Sequence, residues 1–447
     1  MLPTLEQLHL WIHDAIGVLE STGRDVAGLE DALVALPASY DALVGFAHML
    51  GDRPVRAGWP YVEPVAWGEV LGECDPGCAT DPLVPTDASD TARRICAGWR
   101  ASVCGCQLGK QLEVMPTLAE LRAAFTKVGQ WPIDDYVTDE ALVALGKRNG
   151  TGPVRGEHGP AHADDDQNYT VMGLLVLERH GADFTHDHLR RLWETNLPIL
   201  TTYGPERRGL AAWSVADARK PTGGDLHPLH DLLVFGDVWC GAQIRADAYG
   251  YACPGDPQRA AELAYRDATL NHRHTGAYAT AWTAAALAAA FVVDEPLDMF
   301  RVAQQYIPQR SRFAAAMAQA IKLVERADGW QAGYEAIHAA FGEFGHCRVF
   351  QESATLMNTL RFAASVGEGI CLQVMQGNDT DSYGATAGAL LGVFHDPEGP
   401  AALEPRWLAP FGGRVHIGLA GFFETSIDAI GGRLAALPEK LALGSSG

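Results

Sequence analysis

Apolar residues recur along most of this chain at the three- and four-residue spacing of an α-helix. The first such stripe consists of Leu5, Leu8, Ile12 and Ile16. Residues 279–293 (ATAWTAAALAAAFVV) and 312–327 (RFAAAMAQAIKLVERA) predict alanine-rich helices that pack closely against their neighbours. Alternation of the kind found in strands is scarce. The pattern therefore predicts an all-α protein, built as a compact multi-helix domain with a helical N-terminal extension.

A segment rich in proline, aspartate and small residues interrupts this helical pattern. It spans residues 74–90 (CDPGCATDPLVPTDASD) and follows the first two or three predicted helices, which is typical of a linker. We therefore expect an N-terminal extension with its linker over residues 1–92 and a main domain over residues 93–443. The last four residues, 444–447 (GSSG), resemble an expression remnant or a disordered end.

Three consecutive acidic residues, Asp164, Asp165 and Asp166, stand just before an apolar run that ends at Gly181. The run has helical periodicity, and a glycine is a common residue at the C-terminal cap of a helix. The three carboxylates are thus predicted at the N-terminus of one helix. A structural alternative is that one aspartate caps the helix while the other two are solvated.

A second acidic group, Asp379 and Asp381 with Ser382, heads another predicted helix. In this helix Gly384, Gly388 and Gly392 recur every fourth residue. One face is then nearly bare backbone, so a neighbouring helix can approach closely. Capping is an alternative here too, but one side chain satisfies the first free N–H groups, and a cap does not require two aspartates.

Charge balance favours a metal site if the two acidic groups meet. No lysine or arginine occurs between Arg155 and Arg179, or between Arg361 and Arg406. Converging carboxylates without cations repel one another, and a bound metal removes that conflict. The candidate metal ligands are the carboxylates of Asp164, Asp165, Asp166, Asp379 and Asp381 and the hydroxyls of Thr380 and Ser382. Because these donors are all oxygens, we expect magnesium, with manganese as the alternative, and five aspartates favour two ions.

Composition narrows the possible partners. The 447 residues carry a formal net charge of −21, which argues against broad attraction to nucleic acid or to an anionic membrane. The nine cysteines match no zinc-binding spacing, so we expect reduced cysteines in the core. The chain start shows no secretory signal, and the most apolar stretch, residues 281–293, is too short to span a bilayer. A cytoplasmic location follows, whereas the oligomeric state stays open.

The two acidic motifs, DDDQNYT at residues 164–170 and GNDTDSYGATAGALLG at residues 377–392, resemble those of the ADP-ribosylglycohydrolase family. That family has an early motif of a threonine with paired aspartates, and a late GxDTD[TS] motif that heads a helix of small residues. Residues 97–113, which end in Glu113, resemble its opening helix, and residues 240–281 resemble its central segment. The likeness covers roughly residues 92–395, whereas the extension lies outside it.

The resemblance implies an all-helical fold and two metal ions. The implied metal ligands are Asp165, Asp166, Asp379, Asp381 and Ser382, with Glu113 beside them. Asp164 and Gln167 stand where many members have threonine, and Ser382 stands where many have a second threonine. Ser382 keeps the hydroxyl, but Asp164 adds a negative charge, so metal affinity or substrate geometry is expected to differ from that of relatives that act on proteins.

The implied activity is hydrolysis of the ribosyl C1′ glycosidic bond of an ADP-ribosylated or related ribosylated substrate. Asp165 or Asp166 is a candidate base for the attacking water, and Glu113 is a candidate for orienting the ribose or for acid–base work. Two alternatives remain. The first alternative is a small-molecule ribosidase of the nucleoside N-glycosidase type, and the second is a noncatalytic ADP-ribose binder.

Substrate-binding candidates come from the central segment. They are Gly241, Arg245, Tyr249, His272 and Tyr278. Each has a structural alternative, because aromatic residues on helices usually pack in cores, and histidines are often hydrogen-bonded structural residues. For Arg245, contact with a phosphate and an ion pair with Asp247 are equally weighted.

Glu113 follows a stripe of residues on one predicted helix face and is predicted to turn inward. The stripe consists of Trp99, Val103, Cys106 and Lys110, at steps of three or four residues. If the helix continues, Glu113 lies on the same face. The structural alternative is an ion pair between Glu113 and Lys110, three residues apart.

Overall fold

The structure is a computed structural model that describes residues 3–51, 53–83, 87–113, 116–146, 153–218 and 236–444. Most of the predicted tail, residues 445–447, lies outside these ranges. The helices before residue 220 are α1 (Leu5–Ser21), α2 (Leu29–Val34), α3 (Tyr40–Leu50), α4 (Trp67–Glu73), α5 (Ala88–Gly109), α6 (Leu118–Lys127), α7 (Asp139–Leu145), α8 (Asp165–His180), α9 (His186–Asn196) and α10 (Gly204–Ala218).

The later described helices complete the domain. They are α11 (Asp247–Ala252), α12 (Pro257–Ala268), α13 (His274–Ala289), α14 (Pro296–Gln304), α15 (Arg312–Arg326), α16 (Trp330–Phe341), α17 (Val349–Phe362), α18 (Val366–Met375), α19 (Thr380–Phe394), α20 (Pro405–Leu408), α21 (Ile427–Ala435) and α22 (Leu437–Gly444). One small antiparallel sheet joins β1 (Arg414–His416) to β2 (Glu424–Ser426). The prediction of an all-α fold is confirmed. No described helix is long and apolar enough to cross a membrane.

The N-terminal helices have an apolar core of their own. Thr4 and Gln7 form a capping box that starts α1, and the predicted stripe of α1 is buried against α2 and α3. After α3 the chain runs along the main domain, where the amide of Val62 donates to the carbonyl of Arg310 at 3.1 Å. Val70 and Cys74, which precede the predicted boundary, already belong to the main core. The predicted boundary near residue 92 falls inside α5.

Helix α13 passes through the main core. All of its residues after His274 are buried, and most of them are alanine. A helix that is apolar on every face needs neighbours on every side, and small side chains let those neighbours approach. This burial explains the alanine-rich pattern that predicted the helix.

The close contact between α5 and α19 brings two distant sequence motifs together. A Cβ atom on Gly105 would lie 2.0 Å from the carbonyl oxygen of Gly384, and one on Gly388 would lie 2.3 Å from that of Ala101. Such distances leave no room for a side chain. The prediction that the glycine face of α19 receives a neighbouring helix is therefore confirmed, and α5 is that helix. The start of α19 consequently lies beside the end of α5.

Candidate active site

The first acidic group stands at the N-terminus of α8, as predicted. Asp164 is the N-cap residue, and its carboxylate accepts a hydrogen bond from the amide of Asp165 at 3.0 Å. The loop before it is held by Gln107 of α5, whose side chain exchanges two hydrogen bonds with the backbone of His162, at 2.8 and 3.0 Å. Gly181 ends the helix with a φ of 61°. Capping thus accounts for Asp164, but not for Asp165 and Asp166.

The second acidic group heads α19 without capping it. Asp379 is the N-cap residue, yet its side chain makes no capping hydrogen bond. Its amide instead donates to the carboxylate of Glu352 at 3.1 Å. The turn before it needs left-handed backbone at Gly377 (φ 79°) and Asn378 (φ 64°). The carboxylate of Asp379 is therefore left for contacts across the site.

The two groups meet around the end of α5. The thiol of Cys106 lies 3.4 Å from Asp164 and 3.8 Å from Asp166. The carboxyl groups of Asp381 and Glu113 lie next to each other, and the charges of Asp164 and Asp166 both act on Asp381. Burial, followed by this mutual repulsion, raises the pKa of each of the carboxyls Asp165, Asp166 and Asp381 well above its ordinary value.

Two buried carboxylate oxygens in this group have no hydrogen-bond partner among the described residues. They are Oδ1 of Asp166 and Oδ1 of Asp381. A buried carboxylate oxygen without a partner costs free energy unless a ligand satisfies it. The chemistry of these oxygen donors fits a hard divalent cation such as magnesium.

One basic residue enters the acidic site, contrary to the charge argument from sequence. Lys110, at the end of α5, forms an ion pair with Asp164, and both side chains are largely buried. Lys110 is 54 residues away from Asp164 along the chain, outside the stretches around the acidic motifs that lack lysine and arginine. The structural alternative paired Lys110 with Glu113, but the ion-pair partner of Lys110 is Asp164. The positive charge of Lys110 only partly opposes the rise in the pKa of Glu113.

Glu113 lies at the rim of the site. Helix α5 ends at Gly109 and a 3-10 turn covers Lys110–Leu112, so the stripe does not continue to residue 113. The prediction that Glu113 is withdrawn from solvent is wrong, because the residue is exposed. Its carboxyl nevertheless faces the acidic group. Partial burial of that carboxyl, with the charges of Asp164 and Asp379, raises the pKa of Glu113 to about 7.

Sequence reasoning missed several residues that the fold adds to this site. Glu352 of α17 is fully buried, and burial together with the charge of Asp379 raises its pKa. Cys240, Cys347 and His346 lie near Asp379. Tyr203 is an exposed aromatic residue, and partial burial of its hydroxyl, with the charge of Asp165, raises its pKa. These residues come from segments distant in sequence. None carries a local pattern that would single it out.

The predicted substrate-binding residues lie in the protein interior. Arg245, Tyr249, His272 and Tyr278 are all 0% exposed. Arg245 pairs with Glu206 at 3.0 Å and with Asp267, so the alternative pairing with Asp247 is wrong.

Protein partners also account for the other predicted substrate-binding residues. Tyr249 donates to Asp267 at 2.7 Å, and Tyr278 donates to the carbonyl of Pro64 at 2.5 Å. A nitrogen of the His272 ring lies 2.8 Å from the side-chain oxygen of Asn271. A Cβ atom on Gly241 would lie 2.3 Å from Glu206. Tyr249, Tyr278 and His272 thus each have a hydrogen-bond partner within the protein.

Comparisons with known proteins agree with the fold and the motifs. No match is found among curated proteins. A solved structure described as an ADP-ribosylglycohydrolase-related protein complex shares 16% sequence identity and a TM-score of 0.51, over 79% of this chain and 99% of that chain. At this identity the likeness shows the fold alone. The family model of ADP-ribosylglycohydrolase matches residues 87–441. The chain therefore belongs to the ADP-ribosylglycohydrolase family.

Proposed function

We propose that this protein is a binuclear metal-dependent hydrolase that cleaves the ribosyl C1′ bond of an ADP-ribosylated substrate. Membership of the family supports a glycohydrolase of the ADP-ribosyl type. The observation that carries the finer proposal is the meeting of two helix N-termini, with an unpartnered buried oxygen on Asp166 and another on Asp381. A purely structural helical domain has no evident use for such a group of carboxylates.

The proposed ions are magnesium, with manganese as the alternative. Their ligands would be Asp165 and Asp166 from α8 and Asp379, Asp381 and Ser382 from α19. When bound, such ions supply a Lewis acid that chelates vicinal hydroxyls and makes a water more acidic. Lys110 neutralises Asp164, so we expect Asp164 to orient the site more than to bind metal. The oxygen donors alone do not distinguish manganese from magnesium.

The residues of the chain supply the proton transfers. Cleavage at C1′ develops positive charge on the ribose, so nearby carboxylates stabilise it while one of them accepts the proton of the attacking water. Asp165 is half-buried at the first turn of α8 and is a candidate base, as is Asp166. Glu113 lies next to Asp381 at the exposed rim, which favours its contact with both the ribose and solvent.

An aromatic rim next to the acidic group supports a substrate with a planar base. Tyr203 is 61% exposed, and the charges of Asp165, Asp164, Lys110 and Glu113 act on its hydroxyl. Trp239 is half-buried nearby, with the ring 3.8 Å from a Cβ atom placed on Gly204. The exposed ring of Tyr203 offers a stacking surface for a nucleobase, whereas the guanidinium of Arg348 covers one face of Trp239, 3.5 Å from the ring centroid.

A second candidate is a ribosidase whose substrate has no diphosphate. The buried ion pairs of Arg245 favour this candidate. This arginine was the predicted phosphate ligand, and two internal carboxylates already neutralise it. A simple nucleoside has no phosphate group, so its binding needs no such cation.

A substrate panel tests these proposals. Magnesium-loaded protein is assayed on ADP-ribosylated protein, ADP-ribosylated nucleic acid, ADP-ribosyl small molecules and simple nucleosides. We expect release of ADP-ribose from at least one of the first three. Turnover of nucleosides alone would replace the main proposal with the ribosidase. Tight binding of ribosyl ligands without any hydrolysis would identify a noncatalytic ADP-ribose binder.

A further inference from the structure

Two cysteines face each other beside the acidic site. Trp239 and Arg348 form an antiparallel bridge, and the amide of Cys240 donates to the carbonyl of Cys347 at 3.1 Å. This pairing sets the two thiols on the same side of adjacent segments. None of the nine cysteines is in a disulfide. Cys240 and Cys347 are therefore available as a pair of sulfur ligands.

A carboxylate completes a three-donor group with these thiols. The thiol of Cys240 lies 3.1 Å from Oδ2 of Asp379, and one ligand atom from each of Cys240, Cys347 and Asp379 lies within 4.8 Å of the others. Donor atoms around a tetrahedral zinc ion are roughly 3.3–3.8 Å apart, given Zn–S bonds of about 2.3 Å. Side-chain movements of less than about 1 Å would close the group around such an ion.

His346 lies beside the same carboxylate, in a separate group of three possible metal ligands. His346, Glu113 and Asp379 also have ligand atoms within 4.8 Å of one another. Nδ1 of His346 is buried and has no hydrogen-bond partner among the described residues. An imidazole nitrogen without a partner is a ready ligand for a transition metal.

The backbone at Cys347 is held in an unusual conformation. Its φ of 56° lies in the left-handed region, which a residue with a side chain rarely adopts. The carboxylate of Glu352 accepts hydrogen bonds from the amides of Cys347 and Asp379, at 3.3 and 3.1 Å. One buried side chain thus sets the position of two of the three donors. Such conformations persist where the surroundings enforce them, and they are frequent at ligand sites.

We propose that Cys240, Cys347 and Asp379 form a second metal site that binds a thiophilic divalent ion, with zinc as the expected occupant and water or a reoriented His346 as the fourth ligand. Thiolate and imidazole donors select zinc over magnesium, whereas the all-oxygen group next to them selects magnesium. Asp379 belongs to both sets. Zinc at the thiols therefore competes with magnesium for Asp379, and this inhibitory consequence, unlike zinc binding itself, rests on the proposed function.

Cobalt spectroscopy of the full, reduced chain tests the binding. Cobalt(II) reports a tetrahedral thiolate site through sulfur-to-metal charge transfer and intense visible bands. We expect one equivalent of cobalt with this signature, displaced by one equivalent of zinc in the presence of excess magnesium. Cys240→Ser and Cys347→Ser should each weaken binding at least about tenfold and lose charge-transfer intensity, because each removes one anionic sulfur ligand.

Cys78→Ser is the matched control. Cys78 lies near the thiol of Cys74, but the described residues add no third metal-ligating side chain to that pair. This variant should keep the full cobalt signature. Thermal melts of the metal-free variants check that the serine substitutions preserve the fold. A weak octahedral spectrum in the parent, or equal spectra in Cys347→Ser and the parent, would overturn the proposal.

Calorimetry separates the inhibitory consequence from the binding itself. Zinc-loaded parent protein should bind magnesium at least about tenfold more weakly than zinc-free protein, because one carboxylate is shared. Zinc-treated Cys347→Ser should keep its magnesium affinity. If no magnesium binds under any condition, the proposed function fails while the cobalt result stands. If magnesium affinity ignores zinc in a protein that binds both, the shared role of Asp379 is wrong.

Discussion

The ammonium group of Lys110 pairs with the carboxylate of Asp164 at the point where α5 meets the start of α8. A cation from one helix thereby neutralises part of an acidic group built by two others. Asp164 still caps α8 through its second oxygen. The pair reduces the repulsion among the carboxylates in the absence of metal.

Lys110→Met should increase the repulsion among these carboxylates and destabilise the metal-free protein. Removing the cation leaves Asp164 largely buried and unpaired, which costs about 3 kcal/mol of unfolding free energy in metal-free protein. Magnesium should recover more stability in this variant than in the parent, since it then supplies the missing positive charge. Thermal melts with and without magnesium measure the difference. Lys322→Met, at an exposed position, is the control, and equal magnesium responses in the two variants would contradict the expectation.

Asp381→Asn should weaken magnesium binding by about tenfold or more, since it removes one anionic ligand and keeps the shape of the side chain. The fold should be retained. Asp187→Asn is a matched control, because Asp187 holds the same second position in α9 but is exposed. Calorimetry gives both affinities. Unchanged affinity in Asp381→Asn would remove this residue from the metal ligands.

Glu113→Gln should reduce turnover by about 100-fold or more, the usual scale for loss of an acid–base group. Melting and magnesium affinity should stay near the parent values, because Glu113 lies at the exposed rim. Glu335→Gln, an exposed residue of α16, controls for loss of one charge. Turnover of Glu113→Gln within a few-fold of the parent would move the proton transfer to Asp165 or Asp166.

Asp247→Asn should remove a pH dependence of stability. Burial raises the pKa of Asp247 to about 7, despite an opposing hydrogen bond from Ser102. The folded protein thus holds a proton that the unfolded chain, with a pKa near 3.8, releases. This carboxyl therefore makes stability fall as the pH rises from about 4 to about 7, after which the penalty is constant.

Melting of the Asp247→Asn variant at two pH values measures that penalty. The variant should be more stable than the parent at pH 8, by at least about 1 kcal/mol, and the difference should shrink at pH 5. An equal difference at both pH values would show that Asp247 does not hold the proton in the folded state.

Gly388→Ala should disrupt the contact between α5 and α19. Its Cβ would lie 2.3 Å from a backbone oxygen of Ala101, so the helices must separate at a cost of about 3 kcal/mol. Gly432→Ala is the matched control, since Gly432 lies in α21 with nothing within 4 Å of an added Cβ. Denaturant unfolding should show that the control is stabilised by about 0.5–1 kcal/mol. A neutral effect at Gly388 would mean that the two helices have room to shift.

Local pattern determined the features that depend on neighbours along the chain. Helical period and alanine content identified α13 and α15, and the glycine spacing of α19 predicted its close packing, because a helix presents residues four apart on one face. The acidic motifs were placed correctly at two helix starts for the same reason. The placement of Glu113 failed where α5 gave way to a 3-10 turn, which the apolar period does not reveal.

Only the tertiary structure decided which side chains meet. The ion pair of Lys110 with Asp164, the contact of Cys240 with Asp379, and the buried contacts of Arg245 join residues from separate helices and loops. Their interactions depend on distances in space, and spacing along the chain carries no record of those distances. Burial acts in the same way, since the pKa of Asp247 is set by the neighbours that exclude water from it rather than by the adjoining sequence.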